Sequence, residues 1–279
     1  MFIILRTLKP ANGYFNRKRQ KKLLKNTQPI SYSTENGLPF FILDILEERN
    51  GISSTELEEK CGRYVSRIVA PRTLHLPDNG RIKRFIPGNS NGFFIFNTAL
   101  EAIKNARLRP EELCITLIDR NACMNAEIHR ILPFASSIRA ITSHPEKYAL
   151  QCHKIYDECG ASVMVRPVYQ PVAKKEIVIC CDGATNEAMQ RSAVFSFKRG
   201  VYGKLRLFCS DIELSEKHKE IIPESIDSAD FAAAVTELCG STEYKKSCFS
   251  HIESCCSDCT EKSPSECLNC YISRFSENQ

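Results

Sequence analysis

Hydrophobic side chains along this chain change their period from segment to segment, and the changes mark out elements. Residues 2–8 form an apolar run of strand length. A basic stretch at 17–25 follows, and Asn36-Gly37 signals a turn. Phe41, Ile42, Ile45 and Leu46 share one face at helical spacing, which predicts a helix over 40–48. Asn50-Gly51 breaks it. Ser53 stands three residues ahead of Glu56, a capping-box spacing, so a second helix is expected from there to about Cys61, with Gly62 as its stop. Residues 68–92 are crowded with turn formers and read as strand fragments and loops. A short apolar run at 93–96 and a helix over 98–107 come next.

From Glu112 the pattern becomes regular. Cys114 to Ile118 is a continuous apolar-type run ending in Asp119, which suits a strand covered on both faces. Met124, Ile128, Ile131, Leu132 and Ala135 recur at helical spacing, with Pro133 disturbing the last turn. Further strands are expected at 138–142, 161–165, 176–181 and 204–209. A helix opened by Pro145 and closed by Gly160 separates two of them, and another over 231–239 ends at Gly240. Strands alternating with helices at this spacing predict an α/β fold with a doubly wound, mainly parallel sheet. The expected organisation is an N-terminal α/β part over 1–110, the sheet domain over 111–240 and a Cys-rich tail over 241–279.

Residues 112–183, about a quarter of the chain, have a layout that resembles the Rossmann-like cofactor domain of shikimate dehydrogenase and glutamyl-tRNA reductase proteins. The best local match runs from Ile138 through Thr142-Ser143-His144-Pro145 to Glu146-Lys147. Ile177 to Thr185 is similar to their fourth strand and the loop near the nicotinamide. The departure matters more. Such domains hold the cofactor pyrophosphate with glycines between the first strand and helix. Here that turn reads Asp119-Arg120-Asn121-Ala122-Cys123-Met124, and no glycine occurs from Phe93 to Cys159. The second strand ends in Ser143-His144 rather than an acidic residue, so the ribose contact is missing too. NAD(P) binding is therefore not expected, although His144 and Lys147 offer cations where a 2′-phosphate would lie. A ligand of another kind would meet Asp119, Arg120, Asn121, Ser143, His144, Asp182 and Thr185 at the strand ends; otherwise Asp119 and Asp182 only cap loops.

The tail carries the most specific chemical signal. Cys256-x2-Cys259-x7-Cys267-x2-Cys270 presents two CxxC pairs, enough for tetrahedral zinc or for an iron–sulfur cluster, with zinc favoured and a structural role expected. Cys248, His251 and Cys255 are further candidate ligands. Metal binding would supply folding energy that a tail so poor in aliphatic residues lacks; the alternative is a disordered tail that is merely rich in cysteine. The nine cysteines elsewhere read as small buried hydrophobes.

Charge changes the picture in one place. Residues 1–34 hold eight Lys or Arg and no Asp or Glu, so the chain's net +5 is concentrated there. The basic segment offers non-specific attraction to nucleic acid, or else is a solvated charge run. Residues 38–72 can also be read as a helix-turn-helix, with Arg63, Arg67 and Arg72 facing phosphates. No run approaches the ~18 apolar residues of a membrane helix, and no export signal is visible, so no membrane partner and a cytoplasmic location are expected. No catalytic constellation stands out. The leading expectation is a non-dehydrogenase Rossmann relative that binds a ligand or partner and carries a tail metal. A DNA-binding regulator and a redox enzyme with a Cys-ligated cluster are the alternatives.

Overall fold

The computed structural model describes residues 1–46, 52–77, 79–88, 90–106, 108–172, 175–182, 187–197, 203–241, 244, 249–254 and 262–277. In chain order the first elements are β1 (Ile3–Leu8), α1 (Tyr14–Lys25), β2 (Ile30–Ser33), β3 (Pro39–Leu46), α2 (Ser54–Cys61) and β4 (Ile68–Val69). Then come α3 (Ser90–Ala106), β5 (Leu113–Ile118), β6 (Ser137–Ile141), α4 (Pro145–Cys159), β7 (Val163–Arg166) and β8 (Lys175–Cys180). The last are β9 (Ala193–Ser196), β10 (Leu205–Ile212), α5 (Glu216–Ile221), α6 (Ser228–Cys239), β11 (Phe249–Ser254) and α7 (Pro264–Glu277).

The chain divides into two compact units rather than three successive segments. One is Met1–Ser90 with Leu214–Lys245; the other is Asn91–Glu213 with Lys246–Gln279. No described helix is long and apolar enough to cross a membrane.

The first unit is built on a sheet of order β2-β3-β1-β4, parallel except for the β2–β3 pair. Residues 40–46 are thus a strand, where sequence spacing predicts a helix. The reason is burial: Phe40, Ile42, Leu43, Ile45 and Leu46 are all buried, and a run covered on both faces loses the alternation that marks a half-exposed strand. Asp44 is the polar residue in that run. It lies opposite Arg6 in the register, and the guanidinium grips it through two bonds of 2.5 and 2.8 Å. The helix-turn-helix reading of 38–72 therefore has no first helix. Arg72, assigned to phosphates in that reading, pairs instead with Asp227 and Asp230 at the start of α6. The helix expected after Ser53 is present as α2, but the capping-box hydrogen bond from the Ser53 side chain is not made. Phe2, Phe40 and Phe231 stack edge and face against one another, which brings α6 onto this sheet.

The second unit holds a seven-stranded sheet of order β11-β10-β9-β8-β5-β6-β7. Six strands are parallel, and β11 adds antiparallel to β10 at the edge. Counted from β5, the parallel strands run 3-2-1-4-5-6, the Rossmann-like order. Every residue of β5 is buried, as its unbroken apolar run predicts. The segment after β5 is a 3-10 helix, Asn125–Phe134, not the expected α-helix, and Pro133 lies inside it. The α4 helix begins at Pro145 and ends at Gly160 in the left-handed conformation, as read from the sequence.

Residues 167–174 cross from β7 to β8, and their described part contains no helix. A buried polar network anchors this connection. Glu176 accepts hydrogen bonds from Thr116 (2.5 Å) and Ser192 (2.7 Å), and from the Tyr169 hydroxyl within the connection. Arg139 lies 3.4 Å from Glu176 and donates to the Gln170 carbonyl at 2.6 Å. Both ionic side chains are almost fully buried, so each depends on the other.

Candidate functional site

The strand order reverses between β5 and β8, and the crevice outside their carboxyl ends is where doubly wound sheets receive ligands. Asp119 follows β5 directly. Its carboxylate turns back into the chain: Oδ1 accepts the Cys123 N–H at 2.9 Å, and Oδ2 accepts the Met124 N–H at 2.7 Å and the Tyr148 hydroxyl at 2.7 Å. Asp119 is 3% exposed. Tyr148, on α4, is fully buried, and burial first, then Asp119, push its hydroxyl well above the ordinary tyrosine range.

In an ordinary dinucleotide domain these backbone N–H groups would face a phosphate. Here a carboxylate of the chain's own takes their hydrogen bonds. The turn closes on Ala122, whose φ of 56° is one that glycine adopts without strain. The 3-10 helix beyond it aligns its peptides less well than an α-helix, which weakens the field offered to an anion.

The other strand-end residues gather around this turn. The Arg120 N–H donates to Asp182 at 3.1 Å, with the guanidinium Nε 3.8 Å from the same oxygen. The Arg120 carbonyl accepts from the Ser143 N–H (3.0 Å) and the Thr142 hydroxyl (3.2 Å). Lys147 Nζ donates to the Asn121 carbonyl at 3.3 Å, and His144 Nδ1 lies 3.3 Å from Glu146. Asp119, Arg120, Asn121, Ser143, His144 and Asp182 thus come from three loops to one rim, while Thr185 lies outside the described residues. On the outer rim Arg120 and Ser143 are exposed, whereas Asp119 is buried. Cys181 lies beneath. It is buried, and burial followed by the nearby Asp119 pushes its thiol far up, so it is an inert hydrophobe. A Cβ added at Gly92 would meet the Cys181 Cβ and carbonyl oxygen at 3.2 Å, so α3 approaches this strand end closely enough that a side chain there would need its neighbours to give by a few tenths of an ångström.

No known protein family matches this chain, and no curated protein matches it in sequence. Among solved structures, L-tryptophan dehydrogenase from Nostoc punctiforme is similar at a TM-score of 0.33 and 11% identity, over 99% of this chain and 81% of the other. A likeness of that size carries no statement about activity, and the fold rests on the strand order itself.

In the tail, Cys267 and Cys270 stand on α7, one turn apart on a helix rather than in a tight turn. Cys267 is fully buried, and Lys262 Nζ lies 3.3 Å from the Cys270 sulfur. The His251 backbone belongs to edge strand β11, paired with Asp211. Cys248, Cys255, Cys256 and Cys259 lie outside the described residues. Among the described residues, no three His, Cys, Asp or Glu side chains converge as metal ligands.

Sequence reading missed two features. Tyr148 is one; its position on the apolar face of α4 was legible, its bond to Asp119 was not. The other is a cleft of about 780 Å³ in the first unit, between α1, the carboxyl end of β3 and the start of α2. Lys21, Lys25 and Lys60 line it together with Asp44, Glu56 and Glu59. It exists because residues 39–46 are a strand, which the helical spacing of Phe41, Ile42, Ile45 and Leu46 conceals.

Proposed function

We propose that the second unit is a Rossmann-like domain that has lost dinucleotide chemistry and binds a different ligand, or a partner, at the outer strand-end rim. The observation that supports this best is the Asp119 carboxylate bonded to the Cys123 and Met124 N–H groups. A pyrophosphate entering there would have to displace a buried carboxylate and stand beside its negative charge. The layout shared with the cofactor domain of shikimate dehydrogenase and glutamyl-tRNA reductase proteins then reflects a common framework with its phosphate seat closed.

NADH and NADPH titrations followed by nicotinamide fluorescence test the reading. The expected result is a Kd no tighter than about 1 mM for either cofactor. Micromolar binding by the unaltered protein would overturn it.

We also propose a structural metal in the tail, held by Cys256, Cys259, Cys267 and Cys270, with zinc favoured over an iron–sulfur cluster. The pairing of Cys267 and Cys270 on one side of α7 supports this, since residues three apart on a helix face the same way. Four thiolates would close the coordination shell and supply folding energy rather than catalysis. Anaerobic purification with metal analysis and a visible spectrum is the test. One zinc per chain, lost in Cys267→Ser, is expected; iron with charge-transfer absorption would favour the redox reading, and no metal would remove the site.

A further inference from the structure

The surface of α1 is unlike that of the other helices. None of its residues is buried. Gln20 and Leu24 mark the side turned towards the protein, both half-buried. Gln20 ties down the preceding loop, accepting the Ala11 N–H at 2.7 Å and donating to the Lys9 carbonyl at 3.1 Å. Lys60 Nζ, reaching from α2, caps the Leu24 carbonyl at 2.6 Å. The helix is therefore held along one side with the opposite side outward.

That outward side is Phe15, Lys18, Arg19 and Lys22, the i, i+3, i+4, i+7 positions of one face. In an ordinary surface helix such a stripe would be apolar and face the core. Here it is exposed, and Phe15 is 83% exposed between three cations. Tyr14, 75% exposed, makes an edge contact with the Phe15 ring at 5.7 Å. Lys25, one turn further on, belongs to the cleft that Asp44, Glu56 and Glu59 also line, and no carboxylate occurs anywhere in residues 1–34.

We propose that this face of α1 binds single-stranded nucleic acid, with Lys18, Arg19 and Lys22 on successive phosphates and a base stacked on Phe15. Charge complementarity demands a polyanion. An open aromatic ring set among cations matches a strand whose bases are free to stack. A closed duplex offers that ring no base face. An anionic lipid surface matches less well, because an interfacial helix needs a continuous apolar face. Here the three exposed apolar side chains, Tyr14, Phe15 and Leu23, do not form one.

Fluorescence anisotropy of the full chain with a labelled oligouridylate of about 15 nucleotides tests the proposal. Three phosphate contacts on a single strand give a log–log salt slope of about −2.1, so raising salt fourfold weakens binding about 20-fold. Phe15→Ala should weaken binding about tenfold. The triple variant Lys18→Glu, Arg19→Glu, Lys22→Glu should abolish it, while Lys18→Arg with Lys22→Arg should preserve it. Circular dichroism and thermal melting of each variant check folding, which these exposed positions should leave unchanged. Equal affinity for a duplex, or no effect of Phe15→Ala, would overturn the stacking arrangement. Binding to vesicles of phosphatidylserine and phosphatidylcholine without binding to the oligonucleotide would overturn the proposal outright.

Discussion

Replacing Asp119 by Asn tests the closed phosphate seat directly. The carboxylate accepts three hydrogen bonds, two from backbone N–H groups and one from Tyr148. The amide has one acceptor oxygen. If that oxygen takes the Met124 N–H and the Tyr148 hydroxyl, the amide NH2 points at the Cys123 N–H, and two donors face each other. The site is buried, so water does not relieve the clash. Losing one charge-assisted bond and orphaning one donor costs about 2–3 kcal/mol. Amide hydrogen exchange of the turn reads this locally. Protection at Cys123 and Met124 should fall about 30- to 150-fold in Asp119→Asn. Tyr148→Phe removes a single bond and should cost about 1.5 kcal/mol, with the two N–H groups still held. A change in exchange below about fivefold for Asp119→Asn would refute the reasoning. The N–H groups would then be only loosely held, and the seat would be open to a phosphate.

Ala122→Gly should stabilise the same turn by about 0.5–1 kcal/mol in urea unfolding, because glycine adopts the left-handed φ without strain, and it should not create NADPH binding. Arg139→Met should cost about 3–5 kcal/mol by thermal or urea unfolding, since it leaves Glu176 charged and buried without its counter-ion. The Cys61 thiol, pushed up to about 11 by burial, keeps its proton in the folded chain after the unfolded chain has lost it. Its contribution is complete below about pH 9 and is lost as pH rises towards 11, by about 2 kcal/mol. Cys61→Ala should flatten that alkaline slope.

The parallel sheet was legible because its strands are short apolar runs separated by punctuated helices, and Pro145 with Gly160 bounded α4 to the residue. The gathering of strand-end loops followed from topology alone. Other features were hidden for physical reasons. Strand β3 has an apolar run so complete that a helical face can be drawn through it, and only its place between β1 and β2 settles the matter. Strand β9 is four residues long, too short to show a period. The inward turn of Asp119 depends on Tyr148, twenty-nine residues away in sequence, and no local pattern encodes that meeting. Cysteines dominate the sequence pattern of the tail, yet Leu268 and Tyr271 are buried as well, so α7 also has an apolar side.

The interleaving of the two units bears on the order in which a ribosome delivers them. The first ninety residues emerge with Phe2 and Phe40 waiting for Phe231, which arrives about 190 residues after Phe40. At about 5–20 residues per second, that leaves this apolar surface uncovered for roughly 10–40 s. A fragment ending near Ser90 would keep it uncovered indefinitely. Such a fragment should associate with chaperones or aggregate, whereas one carrying residues 214–245 on a linker would hold its own cover.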